Sequence, residues 1–187
     1  MESMSLSQEQ KKILLEIARK TIEDVTIGKN PPDFEIDDPV LNIKCGAFVT
    51  IHNKKSLRGC IGNIVAQTPL WKTIRKMAVE ASMHDPRFPS VSVKELGDID
   101  IEISVLSPFE KITDINEIEV GKHGIFIKLG FYQGLLLPQV ATDYGWNRTQ
   151  FLEYTCQKAG LGIESYKEKN CEIFIFSATI FSEKENL

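Results

Sequence analysis

The first clear pattern in the chain is helical. Ile13, Leu14, Ile17, Ala18, Thr21, Ile22 and Val25 recur on one face, with charged residues opposite, over about four turns. Ser7 and Gln10 stand three apart in front of this run, the spacing of a capping box, so the helix is expected to start there. Residues 28–39, GKNPPDFEIDDP, then read as an extended connector, because three prolines and three aspartates suit neither a helix nor a ladder.

From Cys45 the period changes. CGAFVTI, a polar turn HNKK and SLRGCIGN read as a hairpin whose second strand is interrupted by glycines. Thr68 and Pro69 are expected as N-cap and first residue of a second helix, with Leu70, Ile74, Met77, Ala78 and Ala81 as its buried stripe. It should end near His84, since residues before Pro86 resist helical dihedrals. Residues 98–106 alternate strictly, with Ile99, Ile101, Ile103 and Val105 against Asp100, Glu102 and Ser104, which predicts a strand with one polar face.

Residues 124–138 read as two strands around a turn containing Gly130 and Gly134. A third helix is predicted from Asn147, capped with Gln150, stapled by Trp146 onto Phe151 and closed by Gly160 in a Schellman arrangement that places Leu161 on Cys156. Residues 171–181 are apolar on both faces and predict a single central strand. Tight turns between strand pairs favour an α+β fold, with a largely antiparallel sheet flanked by helices, over a doubly wound parallel one.

Composition adds bounds. At 187 residues, with 42% apolar and 26% charged residues, the chain suits one substantial core. A net charge of −4 gives no electrostatic reason to expect nucleic acid, although Lys54, Lys55 and Arg58, and then Lys72, Arg75 and Lys76, lie close together. The N-terminus lacks the layout of a signal peptide, and no apolar run approaches a membrane span. Four cysteines at 45, 60, 156 and 171, without C-x-x-C spacing, read as reduced thiols in a cytoplasmic protein. No metal is expected, because His52, His84 and His123 fall in separate segments, and no cofactor fingerprint is present.

Three stretches could carry chemistry. Gly59 and Gly62 around Cys60 could expose backbone N–H groups in an anion-binding turn, and the Arg58 guanidinium would favour the Cys60 thiolate. The alternative is a bulged strand with Cys60 packed inward. In HDPRFPS, Arg87 could offer a fork to a carboxylate or phosphate; alternatively, Asp85 caps backbone N–H groups and Arg87 pairs internally. His123, between two glycines in VGKHGIF, is either an acid–base group or a turn histidine bonding the backbone.

LRGCIG, DPRFP, VGKHGI and LLPQVA occur in this order and spacing, and the chain thereby resembles the AMME chromosomal region (AMMECR-type) domain family from about Cys45 to the final apolar strand. The resemblance implies a single such domain over 1–187, with 1–44 as N-terminal helix plus connector. It also implies two lobes, the larger built from both chain ends and the smaller central, with a cleft near the signature hexapeptide. It implies no activity, but suggests protein partners of the Memo type and radical-SAM type. Two functions follow. One is a binding module for a small anionic ligand, a nucleotide, a peptide or a partner, with Arg58, Gly59, Gly62 and Arg87 as contacts. The other is a cysteine-dependent enzyme acting on an anionic small molecule, nucleotide or peptide. There Cys60 is nucleophile or redox thiol, His123 proton shuttle, and Asp85 orients Arg87 or the histidine.

Overall fold

A computed structural model describes residues 5–65 and 67–184. The first four residues, part of the segment without a signal-peptide layout, lie outside the described residues. The fold is α+β with two four-stranded antiparallel sheets. The chain divides into two compact units: residues 5–106 with 179–184, and residues 107–178.

The first unit holds α1 (Gln8–Thr26), β1 (Ala47–Asn53), β2 (Ser56–Asn63), α2 (Leu70–Met83), β3 (Ile99–Leu106) and β8 (Ala178–Ser182), with strand order β2-β1-β3-β8. Ser7 and Gln10 form the expected capping box on α1. One face of the sheet presents Val49, Ile51, Ile101 and Ile103 to α1 and α2, whose Leu14, Ile17, Ile22, Leu70, Ile74 and Ala78 complete a closed core. Burying side chains of this size stabilises by about 1.5–3 kcal/mol each. Arg19 on α1 donates to Glu183 and to the carbonyls of Leu96 and Ile99, tying the C-terminal segment to the first helix.

The second unit holds β4 (Glu110–Ile112), β5 (Gly124–Leu129), β6 (Tyr132–Leu136), α3 (Pro138–Asp143), α4 (Arg148–Lys158) and β7 (Glu172–Phe176), with sheet order β4-β7-β5-β6. Its core gathers Ile125, Ile127, Phe151, Leu152, Cys156 and Ile175. Asn147 and Gln150 cap α4 as expected. Gly160 N–H to Gln157 and Leu161 N–H to Cys156 close it in the Schellman pattern.

Several expectations need correction. Residues 171–181 are two strands, not one: β7 and β8 belong to different sheets, and the chain passes between them at Ser177. An apolar run says how buried a segment is, but not which partner it pairs with. Pro69, not Thr68, is the N-cap residue of α2, and it makes no side-chain cap bond. Gly134 lies inside β6, and Pro138 starts α3, which the pattern did not reveal. Trp146 does pack against the second core, of which Phe151 is part, and it also stacks between Tyr144 and Tyr154 at ring distances of 4.9 and 4.0 Å. In β3 the alternation of exposure holds through Ile103, but Ser104 is buried like its apolar neighbours, because β3 is an inner strand.

The β1–β2 hairpin turns on two residues, Lys54 and Lys55, with φ of 50° and 72°. Two-residue hairpin loops with positive φ at both positions favour Asn-Gly, whereas a side chain such as lysine pays roughly 1–2 kcal/mol per residue in that region. Replacing Lys54 by Asn and Lys55 by Gly together should therefore raise stability by about 1 kcal/mol, read as a higher urea midpoint at unchanged slope. An unchanged midpoint would show that the turn is not strained.

Candidate functional site

The signature hexapeptide lies in β2, the edge strand of the first sheet. The expected glycine turn is absent: neither Gly59 nor Gly62 has a positive φ, and both sit in extended backbone paired with β1. Successive N–H groups in a strand point to opposite sides, so they form no anion-binding concavity. The glycines serve close packing instead. A Cβ on Gly59 would stand 2.2 Å from the Ala81 carbonyl oxygen of α2, and one on Gly62 would stand 2.1 Å from the Phe48 ring. The bulge does exist. Ile51 faces Gly59 and His52 faces Leu57, leaving Arg58 as the extra residue.

That bulge sends Arg58 onto Glu95. Nε and Nη2 donate to the two carboxylate oxygens at 2.7 and 3.3 Å, and Nη2 also reaches the Ser90 carbonyl at 3.2 Å. Glu95 accepts from the N–H and hydroxyl of Ser92 as well, so one carboxylate serves both a capping box and an ion pair. The Arg58 hydrogen bonds hold Glu95 down at about 2. Arg58 Nη1 is buried and has no partner among the described residues.

Cys60 turns both backbone polar groups outward from the edge, and the DPR turn meets them. Cys60 N–H donates to Asp85 Oδ2 at 2.9 Å, and the Cys60 carbonyl accepts from Arg87 Nη2 at 3.0 Å. Asp85 and Arg87 are joined by two further bonds, Nε to Oδ1 at 2.9 Å and Nη2 to Oδ2 at 2.7 Å, and Arg87 N–H also donates to Oδ1. A side-chain pair thus takes the place of a neighbouring strand at this point of the edge. The Asp85 side chain is only 2% exposed, and the Arg87 hydrogen bonds hold it well below the usual carboxylate range. The Arg87 side chain is 51% exposed, and its guanidinium lies 5.4 Å from the centre of the Phe88 ring.

The Cys60 side chain is half-buried. It sits opposite Thr50 on β1, whose hydroxyl donates to Sγ at 3.3 Å, and Thr50 in turn faces Glu102 on β3. Thr50 and Glu95 also shape the site, and no local pattern in the chain marks them for it. Ser92-x-x-Glu95 is a visible capping box, but nothing local links it to Arg58, and Thr50 looked like an ordinary alternate position of β1. The other thiols are structural. Burial raises the Cys156 thiol and pushes Cys45 and Cys171 up to about 11.

His123 belongs to the second unit, where it is buried and its Nδ1 accepts from the Glu119 N–H at 3.2 Å. Burial, with the Lys122 charge, lowers its pKa. The first unit therefore brings together Arg58, Gly59, Cys60, Gly62, Asp85 and Arg87, while His123 serves as a backbone-bonding turn residue in the second. A cavity of about 610 Å³ in the second unit is lined by Lys111, Tyr166, Asn170 and Cys171 among others, and no residue of the four motifs lines it. No group of three or more His, Cys, Asp or Glu able to hold a metal occurs among the described residues. No described helix is long and apolar enough to cross a membrane.

A two-unit α+β protein with a clipped edge strand carrying the hexapeptide is the class that fold and site define. The sequence model of the AMMECR1 family matches residues 15–181, and the chain belongs to that family. It is 42% identical to a protein of Nanoarchaeum equitans, covering 91% of this chain and 98% of that one. It is 39% identical to a protein of Methanosarcina acetivorans, with 96% and 94% covered. The crystal structure of an uncharacterized protein from Pyrococcus horikoshii superposes with a TM-score of 0.91 at 35% identity, covering 96% of this chain and 94% of that one.

Three outcomes follow from this geometry. Asp85 and Glu95 have folded pKa values below their unfolded ones, so their contribution is complete above the unfolded values. It is lost as pH falls, for Glu95 between about 4.5 and about 2. Urea midpoints should decline across this range, and Asp85→Asn should flatten the decline while costing about 1–3 kcal/mol at neutral pH. Gly59→Ala should destabilise by about 1–3 kcal/mol through the Ala81 carbonyl, and a midpoint like the parent's would mean that α2 can give way. With iodoacetamide at pH 7, Cys60 should be the first cysteine alkylated; mass-spectrometric mapping to Cys45 first would contradict this placement.

Proposed function

We propose that the protein is a binding module of the cytoplasm that recognises an anionic group, such as a carboxylate, at the Cys60–Asp85–Arg87 clip. The observation that carries this reading is the state of Arg87. Its guanidinium is held by Asp85 and by the Cys60 carbonyl, yet the side chain is half exposed, and the two N–H groups of Nη1 have no partner among the described residues. The Nη1 donors are already fixed in place and lose little side-chain entropy on binding, which favours recognition. Gly59 and Gly62 support the surface through close packing rather than by direct contact. The Memo-type and radical-SAM proteins that the family resemblance implies are the protein partners to test first.

The thiol reading has less support, because the groups set beside the Cys60 side chain are a threonine hydroxyl and the Arg87 guanidinium, neither of which is a general base. Backbone amide shifts of Cys60 and Arg87 during titration with acetate, and separately with inorganic phosphate, distinguish the two. A binding module keeps saturable shifts in Cys60→Ser and loses them in Arg87→Ala, where a charge-assisted contact is worth roughly 1.5–3 kcal/mol. Arg87→Lys keeps the charge without the fork and should fall between. Unaltered shifts in both arginine variants, each melting as a folded protein, would sink the proposal. Loss of turnover in Cys60→Ser with intact binding would establish the cysteine-dependent enzyme instead.

A further inference from the structure

A basic groove, separate from the Cys60 clip, lies along α2. Lys72, Arg75 and Lys76 project there at i, i+3 and i+4, and with Pro31, Val79 and Glu80 they line a groove of about 300 Å³. A neighbouring groove of about 300 Å³ continues past Lys76 toward Thr68, Thr73 and Met77. This is a concentration of positive charge on a chain whose net charge is −4.

The chain itself shows what the groove accepts. The extended acidic connector passes along it: Arg75 Nη2 donates to the Pro31 carbonyl at 2.9 Å and is ion-paired with Asp33 Oδ1 at 3.0 Å. Asp33 is 97% exposed in its side chain, so this pair is bathed in solvent and contributes little to stability. Arg75 Nε is buried and has no partner among the described residues. Lys72 packs over the Trp71 ring at 5.2 Å, and neither Lys72 nor Lys76 forms an ion pair among the described residues. The other acid of the groove, Glu80, lies 3.2 Å from His84 Nδ1, which is an ion pair only when the imidazole carries a proton. The groove therefore holds one guanidinium paired with a solvent-exposed acid, and two ammonium groups without an ion pair among the described residues.

We propose that this groove docks an extended acidic segment of a partner protein, with carboxylates at alternate positions. The spacing argues for that pattern. Residues four apart on a helix are separated by about 6 Å along its axis, and alternate residues of an extended chain by about 6.6 Å on one side. A partner with carboxylates at every second position can meet Lys72 and Lys76 together and compete with Asp33 for Arg75. Contiguous acids send every other carboxylate away from the helix.

The test is fluorescence anisotropy at low ionic strength with two labelled pentapeptides of equal charge, Glu-Ser-Glu-Ser-Glu and Glu-Glu-Ser-Ser-Glu, the second having no two acids at alternate positions. The alternating peptide should bind more tightly, and more weakly as salt is added. Lys72→Ala combined with Lys76→Ala should weaken it by about tenfold, since both residues are exposed and their loss leaves the core intact. Asp33→Asn, which frees Arg75, should tighten it by about twofold or more. Equal binding of the two peptides would reduce the groove to an unspecific basic patch and overturn the proposal. So would displacement of the alternating peptide by inorganic phosphate at equal concentration, unaltered binding in the double lysine variant, or no tightening in Asp33→Asn. Neither lysine belongs to the Cys60 clip, so this surface and the clip stand or fall separately.

Discussion

The site depends on a single buried carboxylate. Asp85 accepts the Cys60 N–H and orders Arg87, and through Arg87 it also satisfies the Cys60 carbonyl. An exposed strand edge is a template for unwanted pairing, and a bare polar group buried there would cost free energy. The Asp85–Arg87 pair answers both at one residue. It also explains why the turn follows α2 directly. The helix ends at Met83, His84 is its cap, and the next residue is delivered to the strand that the helix already packs against at Gly59.

Charge in this unit is used in two ways. Arg58 is mostly buried and committed to Glu95, whereas Arg87 is ordered from behind and open in front. Both were candidates for the same anion contact, and geometry gives them different tasks: one fixes the bulge of β2 to the 90–95 segment, the other faces solvent with donors to spare. The same contrast recurs on α2, where Arg75 carries a solvent-exposed intramolecular acid while its neighbouring lysines carry none. Preorganised but incompletely used cations favour recognition, since ordering them has already been accomplished in folding.

Much of the secondary structure was legible in the chain because it rests on local rules. The capping boxes at Ser7 and Asn147, the Schellman close at Gly160, the end of α2 before Pro86 and the alternation of β3 follow from side chains within a few residues of one another. The α+β class followed from the short links between strands. Pro138 as a helix start was present in the sequence too, but the apolar run before it concealed the change of period.

The sequence alone determined which residues would matter near Cys60 and Asp85, since two short motifs single them out, and it determined the helices and most strands. Only the tertiary structure decided what those residues do. GCIG reads equally as a turn or as a strand, because glycine permits both; the proximity of the Ala81 carbonyl and the pairing with β1 select the strand. Arg58 reaches Glu95 across 37 positions, and Cys60 reaches Asp85 across 25, distances over which local pattern carries no information. Likewise the split of 171–181 into β7 and β8 is a choice of partners, not of propensity: both halves are apolar, but β7 pairs between β4 and β5 in one sheet, whereas β8 lies beside β3 at the edge of the other.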